Sequence, residues 1–216
     1  MRRASEAAIA FGEQEHARLG YPSNPEEFAR GLGVRLIVGS DNFASNGPPS
    51  VVSQTPDRYA PRQRFTIFHE LAHVLTQRGD FEADIMAEVD DDDSEDHLEA
   101  IVNHMAGLFL IPEPLVQQTI MTFGFTPQAI LQLRMEARAS LAATSRRMLA
   151  YERDVPRTIF LSGETYILDV ASSSPWNRIR RFDRLPDPRA LFPDAQLETI
   201  RIPYASKRKI LGLIEH

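Results

Sequence analysis

Apolar side chains recur along this chain with two alternating periods, and the changes of period mark its elements. Residues 4 to 19 read as an amphipathic helix with Ile9, Phe11 and Leu19 on its apolar side. Asn24-Pro25-Glu26-Glu27 has the cap, the proline and the acidic first turn that open a second helix, which Gly31 and Gly33 close. Val34 to Val38 alternates and is β-branched, which predicts a strand, and after the turn-rich stretch from Ser45 to Pro49 a shorter strand is expected over Ser50 to Gln54. Ala60-Pro61 then starts a mostly apolar helix carrying Phe65, Ile67, Phe68, Leu71, Ala72 and Leu75, stopped at Gly79-Asp80. From Glu95 to Ile111 the residues Leu98, Ile101, Val102, Met105, Leu108 and Phe109 fall at steps of three and four, the spacing of a core helix. The adjacent aspartates 90 to 93 repel one another and predict a solvated connection ahead of it, capped by Asp93 or Ser94.

Pro112-Glu113-Pro114 closes this first region. Residues 113 to 152 are helical in pattern, including Pro127 to Met135 and Leu141 to Tyr151, and two short consecutive helices suggest a helix-turn-helix-like unit. Arg146 and Arg147 on the second of them are more simply a solvated face than phosphate contacts. After Asp154-Val155-Pro156 the period becomes two: Thr158 to Leu161 and Thr165 to Val170, joined by Ser162-Gly163, predict a hairpin, and Thr199 to Ile202 a further strand. The class is therefore α+β, with expected divisions at 1–114, 115–154 and 155–216.

The candidate chemistry lies in the apolar helix, at His69-Glu70-Leu71-Ala72-His73. Side chains four apart share a helical face, so His69 and His73 can offer ring nitrogens to one ion while Glu70 turns toward a bound water. A divalent ion there lowers the pKa of its water from about 16 to about 7, and Glu70 is placed to take the proton as general base during attack on a peptide carbonyl. The plain alternative is a chance pentad of packed histidines, but polar histidines in so apolar a helix need partners.

A catalytic zinc takes three protein ligands and keeps one open position. Downstream candidates for the third are Glu88, the aspartates 90 to 93, Glu95, Asp96, His97, Glu99 and His104. Glu99, Asn103 and Ala106 form one stripe of the core helix. A carboxylate buried there is costly unless it coordinates a cation, and Asn103, one turn on, is placed to hydrogen-bond a ligand imidazole. Glu99 is accordingly the preferred ligand, against the alternative of a solvated helix residue.

These residues resemble a known family. Arg62-Gln63-Arg64-Phe65-Thr66 running into the pentad, then Glu99-Ala100-Ile101-Val102-Asn103, then Leu110-Ile111-Pro112-Glu113-Pro114 are similar, in order and spacing, to three consecutive motifs of the ImmA/IrrE metallopeptidases, over at least residues 30 to 155. The resemblance implies a zincin-like domain with a small mixed sheet, with His69, His73 and Glu99 as metal ligands and Glu70 as catalytic base. It also implies a helix-turn-helix (XRE-type) repressor as protein substrate, cut in a stress or DNA-damage response. Ala72 stands where family members commonly carry Gly. A fainter likeness through Ala171-Ser172-Ser173-Ser174 implies a shortened GAF-like region at 155–216.

Composition narrows the setting. A chain of 216 residues that is 43% hydrophobic can bury one good core and a small appended domain. It contains no cysteine, so neither disulfides nor thiolate metal sites arise, and no apolar stretch is long enough to cross a bilayer. With a start that lacks a signal-peptide core, these features predict a cytoplasmic protein without a membrane partner. A formal charge of −6 disfavours direct DNA binding over the surface as a whole. Two imidazoles and a carboxylate suit zinc first, and manganese, iron or cobalt are also accepted. The expectation is a metal-dependent endopeptidase of narrow specificity; the alternative is a non-catalytic module that binds a repressor or DNA on the same scaffold.

Overall fold

The computed structural model describes residues 3–57, 60–201 and 207–216. The chain is α+β and divides into two compact units, Met1–Pro112 and Glu113–His216, each with its own small sheet.

The first unit contains helices α1 (Ala4–Arg18), α2 (Pro25–Gly31), α3 (Ala60–Arg78), α4 (Glu82–Met86) and α5 (Ser94–Leu110), and strands β1 (Arg35–Val38), β2 (Phe43–Ser45) and β3 (Val51–Gln54). The cap expected for α2 is made: the Asn24 side chain accepts from the Glu26 amide, with Pro25 in the first turn. The expected caps of α5 are not. The aspartates instead form a short 3-10 turn, Asp91–Asp93, and the Ser94 hydroxyl donates to the Asp91 carbonyl. Along α1 the buried stripe is Ser5, Ala8, Gly12 and His16, while the larger Ile9, Phe11 and Leu19 are only half-buried. The cause is a close helix crossing: a Cβ at Gly12 would lie 2.5 Å from Met105 and 3.0 Å from Phe109 of α5.

The sheet order is β1-β3-β2, with β1 parallel and β2 antiparallel to β3. The strand expected over 50–54 is therefore the central one. Both its neighbours pair with it, and the outermost strands are β1 and β2, the latter too short to show a period in the sequence. The buried side of this unit joins Phe28, Phe68 and Phe109 around His16, whose ring lies 4.7 Å from Phe28 and 5.2 Å from Phe109. His16 Nε2 sits 3.2 Å from the Pro22 carbonyl, and burial lowers its pKa, so the ring is a neutral member of the core. Arg78 ties the end of α3 to the loops, donating to the Leu32 carbonyl, Asn46 Oδ1 and Ser50 Oγ at 2.8 to 3.0 Å.

The second unit contains α6 (Glu113–Phe123), α7 (Pro127–Ala137), α8 (Leu141–Tyr151) and the short α9 (Pro188–Leu191), with strands β4 (Arg157–Ser162), β5 (Ile167–Ser172), β6 (Gln196–Ile200) and β7 (Lys209–Glu215). Thr126 and Ser140 side chains cap α7 and α8 by accepting from Ala129 and Ala143 amides. The sheet is antiparallel in the order β5-β4-β7-β6, so the expected hairpin is present as β4–β5. The further strand begins at Gln196 and ends at Ile200; Ile202 lies outside the described residues. β7, which the periodicity did not predict, is a central strand. Arg157 links helices to sheet: it pairs with Glu152 at 2.6 Å and Glu215 at 3.0 Å and stacks 4.0 Å above Phe125.

Gly212 of β7 faces the Phe160 ring so closely that an added Cβ would lie 2.2 Å from it. Gly212→Ala is expected to destabilise the protein by about 1–3 kcal/mol through overpacking. Phe160→Leu should cost less in that background than in the wild type, as read from denaturant midpoints in a double-mutant cycle.

Candidate metal centre

Helix α3 buries Ile67, Phe68, Leu71, Val74 and Leu75, and α5 buries Val102, Met105, Ala106 and Phe109. With these faces turned inward, the remaining faces of the two helices bring His69, His73 and Glu99 together at one edge. Each offers a ligand atom, and the three atoms lie within 4.8 Å of one another. Glu99 Oε2 is 3.4 Å from His69 Nε2, and Glu99 Oε1 is 3.1 Å from His73 Nε2. The imidazoles stand edge to face, their centres 4.9 Å apart.

The other ring nitrogens are engaged on the far side. His69 Nδ1 lies 3.1 Å from Asn103 Oδ1, and since an amide oxygen only accepts, this contact puts the proton on Nδ1 and leaves the Nε2 lone pair toward Glu99. His73 Nδ1 has the Glu82 carboxylate at 3.9 Å, a carboxylate also approached by the Thr76 hydroxyl at 3.4 Å. Asn103 is where helical spacing put it. Glu82 was not anticipated, because it arrives from α4 across a turn that no period connects to α3.

Glu99 departs from expectation in one respect. Its side chain is 48% exposed, so burial does not explain its position; convergence on the two rings does. The other candidate acids and histidines separate from the group. Glu88 accepts from the Ser5 amide at 3.1 Å and holds His97 Nε2 at 3.1 Å. These contacts keep the Glu88 carboxyl down at about 2 and turn it to anchoring the start of α1. The aspartates 91 to 93 are exposed. His104 is exposed one residue beyond Asn103.

The donor set suits a divalent ion. Ligand atoms about 2.0–2.2 Å from a tetrahedral centre are separated by roughly 3.3–3.6 Å, and the observed separations, 3.4 Å from His69 Nε2 to Glu99 Oε2 and 3.1 Å from His73 Nε2 to Glu99 Oε1, lie close to that range. Glu70, only 7% exposed, has its pKa raised to about 7, first by burial and then by the neighbouring Glu99 charge. Burial and the His73 ring lower the pKa of His69, against the opposing pull of Glu99 and Asn103. The arrangement is two imidazoles, that of His69 leaning to its neutral form, one exposed carboxylate and one buried carboxyl poised near neutrality.

Residues 56–149 match the family model described as the IrrE N-terminal-like domain of Peptidase_M78. This segment belongs to the ImmA/IrrE peptidase family. Among curated proteins, the chain is similar to the radiation response metalloprotease IrrE of Deinococcus deserti, at 34% identity over 103 residues, covering 46% of this chain and 35% of that protein. It is similar to the protein of the same name from Deinococcus radiodurans at 32% identity over 96 residues, covering 44% of this chain and 29% of that protein. The match thus spans about a third of the length of these ImmA/IrrE relatives. A solved structure described as a Mycobacterium tuberculosis transcriptional regulator shares the fold, with a TM-score of 0.60 at 14% identity, covering 96% of this chain and 75% of that one. Among the described residues, no helix is long and apolar enough to cross a membrane.

Two outcomes follow. Asn103→Ala should weaken divalent-metal affinity by about 10- to 100-fold, read by competition against a metal chelator. In metal-free protein, Glu70 binds its proton more tightly when folded than when unfolded. Its contribution is therefore full below the unfolded value near 4.5 and is lost as pH rises through about 7. Glu70→Gln should accordingly raise the metal-free Tm relative to wild type by more at pH 8 than at pH 5.

Proposed function

We propose that this chain is a metal-dependent endopeptidase of narrow specificity whose ion is held by His69, His73 and Glu99. The reading rests on one observation: both Nε2 atoms face the same carboxylate at 3.1 and 3.4 Å while Asn103 holds the far side of His69. Membership of residues 56–149 in a metallopeptidase family supports it. Zinc is the proposed ion, with manganese the alternative the same donors accept.

When bound, such an ion acidifies a water and polarises a substrate carbonyl. The chain's own residues do the rest. Glu70, with a pKa near neutrality, takes the proton of the attacking water and delivers it to the leaving amine. Asn103 fixes the His69 ring, and Glu82 favours a proton on the far side of His73.

Substrate alignment is assigned to β2. Its register with β3 and the contacts of Gln54 with Gln63 and of Asn46 with Gln77 run this strand alongside α3, past the turn that carries the histidines. Its outer edge is open to an extended peptide.

The proposed substrate is a helix-turn-helix (XRE-type) repressor, cleaved in a stress or DNA-damage response in the cytoplasm. The relatives' printed name, radiation response metalloprotease, supports the setting. The first unit is read as a zincin-like peptidase domain, α7 and α8 as a helix-turn-helix-like unit, and 155–216 as a shortened GAF-like region.

Glu70→Gln should retain metal and lower the cleavage rate by a factor of about 10² to 10⁴, with fragments of a repressor encoded nearby followed by mass spectrometry. Undiminished cleavage by this variant would refute the mechanism. Full regulatory output with no cleavage by the wild type would favour a binding module instead.

A further inference from the structure

The second unit holds a cleft that the peptidase reading does not use. It has a volume of about 500 Å³ and is lined by Arg146, Leu149 and Ala150 of α8, by Arg153 in the turn just past its end, and by residues 171–173 at the end of β5. The three helix residues are spaced i, i+3 and i+4, which places them on one face, and the turn after Tyr151 brings Arg153 to the same cleft. Two arginines thus line the cleft, together with the apolar Leu149 and Ala150. β5 is an outermost strand of its sheet, and its C-terminal end forms the opposite wall.

The charges in this cleft are unbalanced. Among the described residues, neither arginine pairs with a carboxylate; the Arg153 Nε donates to the Ala150 carbonyl at 3.1 Å, which leaves its terminal nitrogens unassigned. No acidic residue lines the cleft. By contrast Arg157, nearby in sequence, is held by two glutamates. The serine wall is pre-set by other bonds. The Ser173 hydroxyl accepts from the Arg157 amide at 3.1 Å, and the Ser172 hydroxyl is 2.8 Å from that of Thr158, itself 2.9 Å from His216 Nε2. These bonds hold the wall rigid and leave recognition of charge to the two guanidinium groups.

We propose that this cleft binds a small organic anion carrying phosphate or carboxylate groups. Guanidinium forks match the oxygens of either group bidentately, and Leu149, Ala150 and Ala171 contact the apolar part of the ligand. The volume lies within the roughly 300–1,000 Å³ of small-molecule sites, which favours a discrete ligand over a macromolecular surface.

The test is calorimetric titration of the full chain with inorganic phosphate, adenosine 5′-monophosphate and succinate, which separates simple phosphate, phosphate ester and dicarboxylate. Saturable binding of at least one probe at one site per chain is expected. Arg146→Gln and Arg153→Gln should each weaken it by about tenfold or more, and Ala171→Phe should block it by filling the cleft. Arg180→Gln, which alters an exposed arginine elsewhere, should leave it unchanged. Circular dichroism without ligand checks that each variant is folded. Absence of saturable binding, binding indifferent to Arg146 and Arg153, equal loss in Arg180→Gln, or binding only to an oligonucleotide would each overturn the proposal.

Discussion

The packing of α3 on α5 is the constraint from which the candidate metal centre follows. Each helix has one apolar face, and the burial of Phe68, Leu71, Val102, Met105 and Phe109 turns these faces toward the core. Once those faces are fixed, the rotation of each helix about its axis is fixed too. His69 and His73 then come to a shared border with Glu99 and Asn103. The close crossing of α1 at Gly12 and the aromatic box around His16 brace the two helices from behind. Arg78 holds the far end of α3 to the loops around the sheet.

The same packing creates the electrostatic character of the site. Glu70 lies next to the histidines in sequence, yet its side chain is nearly enclosed while Glu99 is half exposed. Two carboxylates in unlike surroundings take unlike roles: the exposed one stays available to a cation, and the enclosed one is pushed toward neutrality. Glu88 shows the opposite use of a carboxylate, drawn down by His97 and the amide at the start of α1, and it serves structure alone.

Much of this was legible in the chain. Helical elements long enough to display a period, such as α3, α5 and α8, fall within about two residues of their expected bounds, and the steps of four and three that relate Glu99 to Asn103 placed both at the centre. Short or strongly tertiary features were not legible. Three residues of β2 carry no period, and the central place of 51–54 is set by the two neighbouring strands that pair with it, which no spacing shows. β7 reads as a plain apolar run interrupted by Gly212, and only the Phe160 ring across the sheet explains that glycine. Burial of Glu99, argued from its apolar neighbours, failed because its stripe lies at the border of the helix packing and not beneath it. Glu82 reaches His73 through a turn, and no rule of spacing links them.

The most direct test of the account is anomalous diffraction at the zinc edge from crystals of the full chain grown with zinc. The account predicts one strong peak about 2.0–2.2 Å from His69 Nε2, His73 Nε2 and a Glu99 oxygen. A peak held by other residues, or none at this position while both imidazoles remain ordered against Glu99, would contradict it.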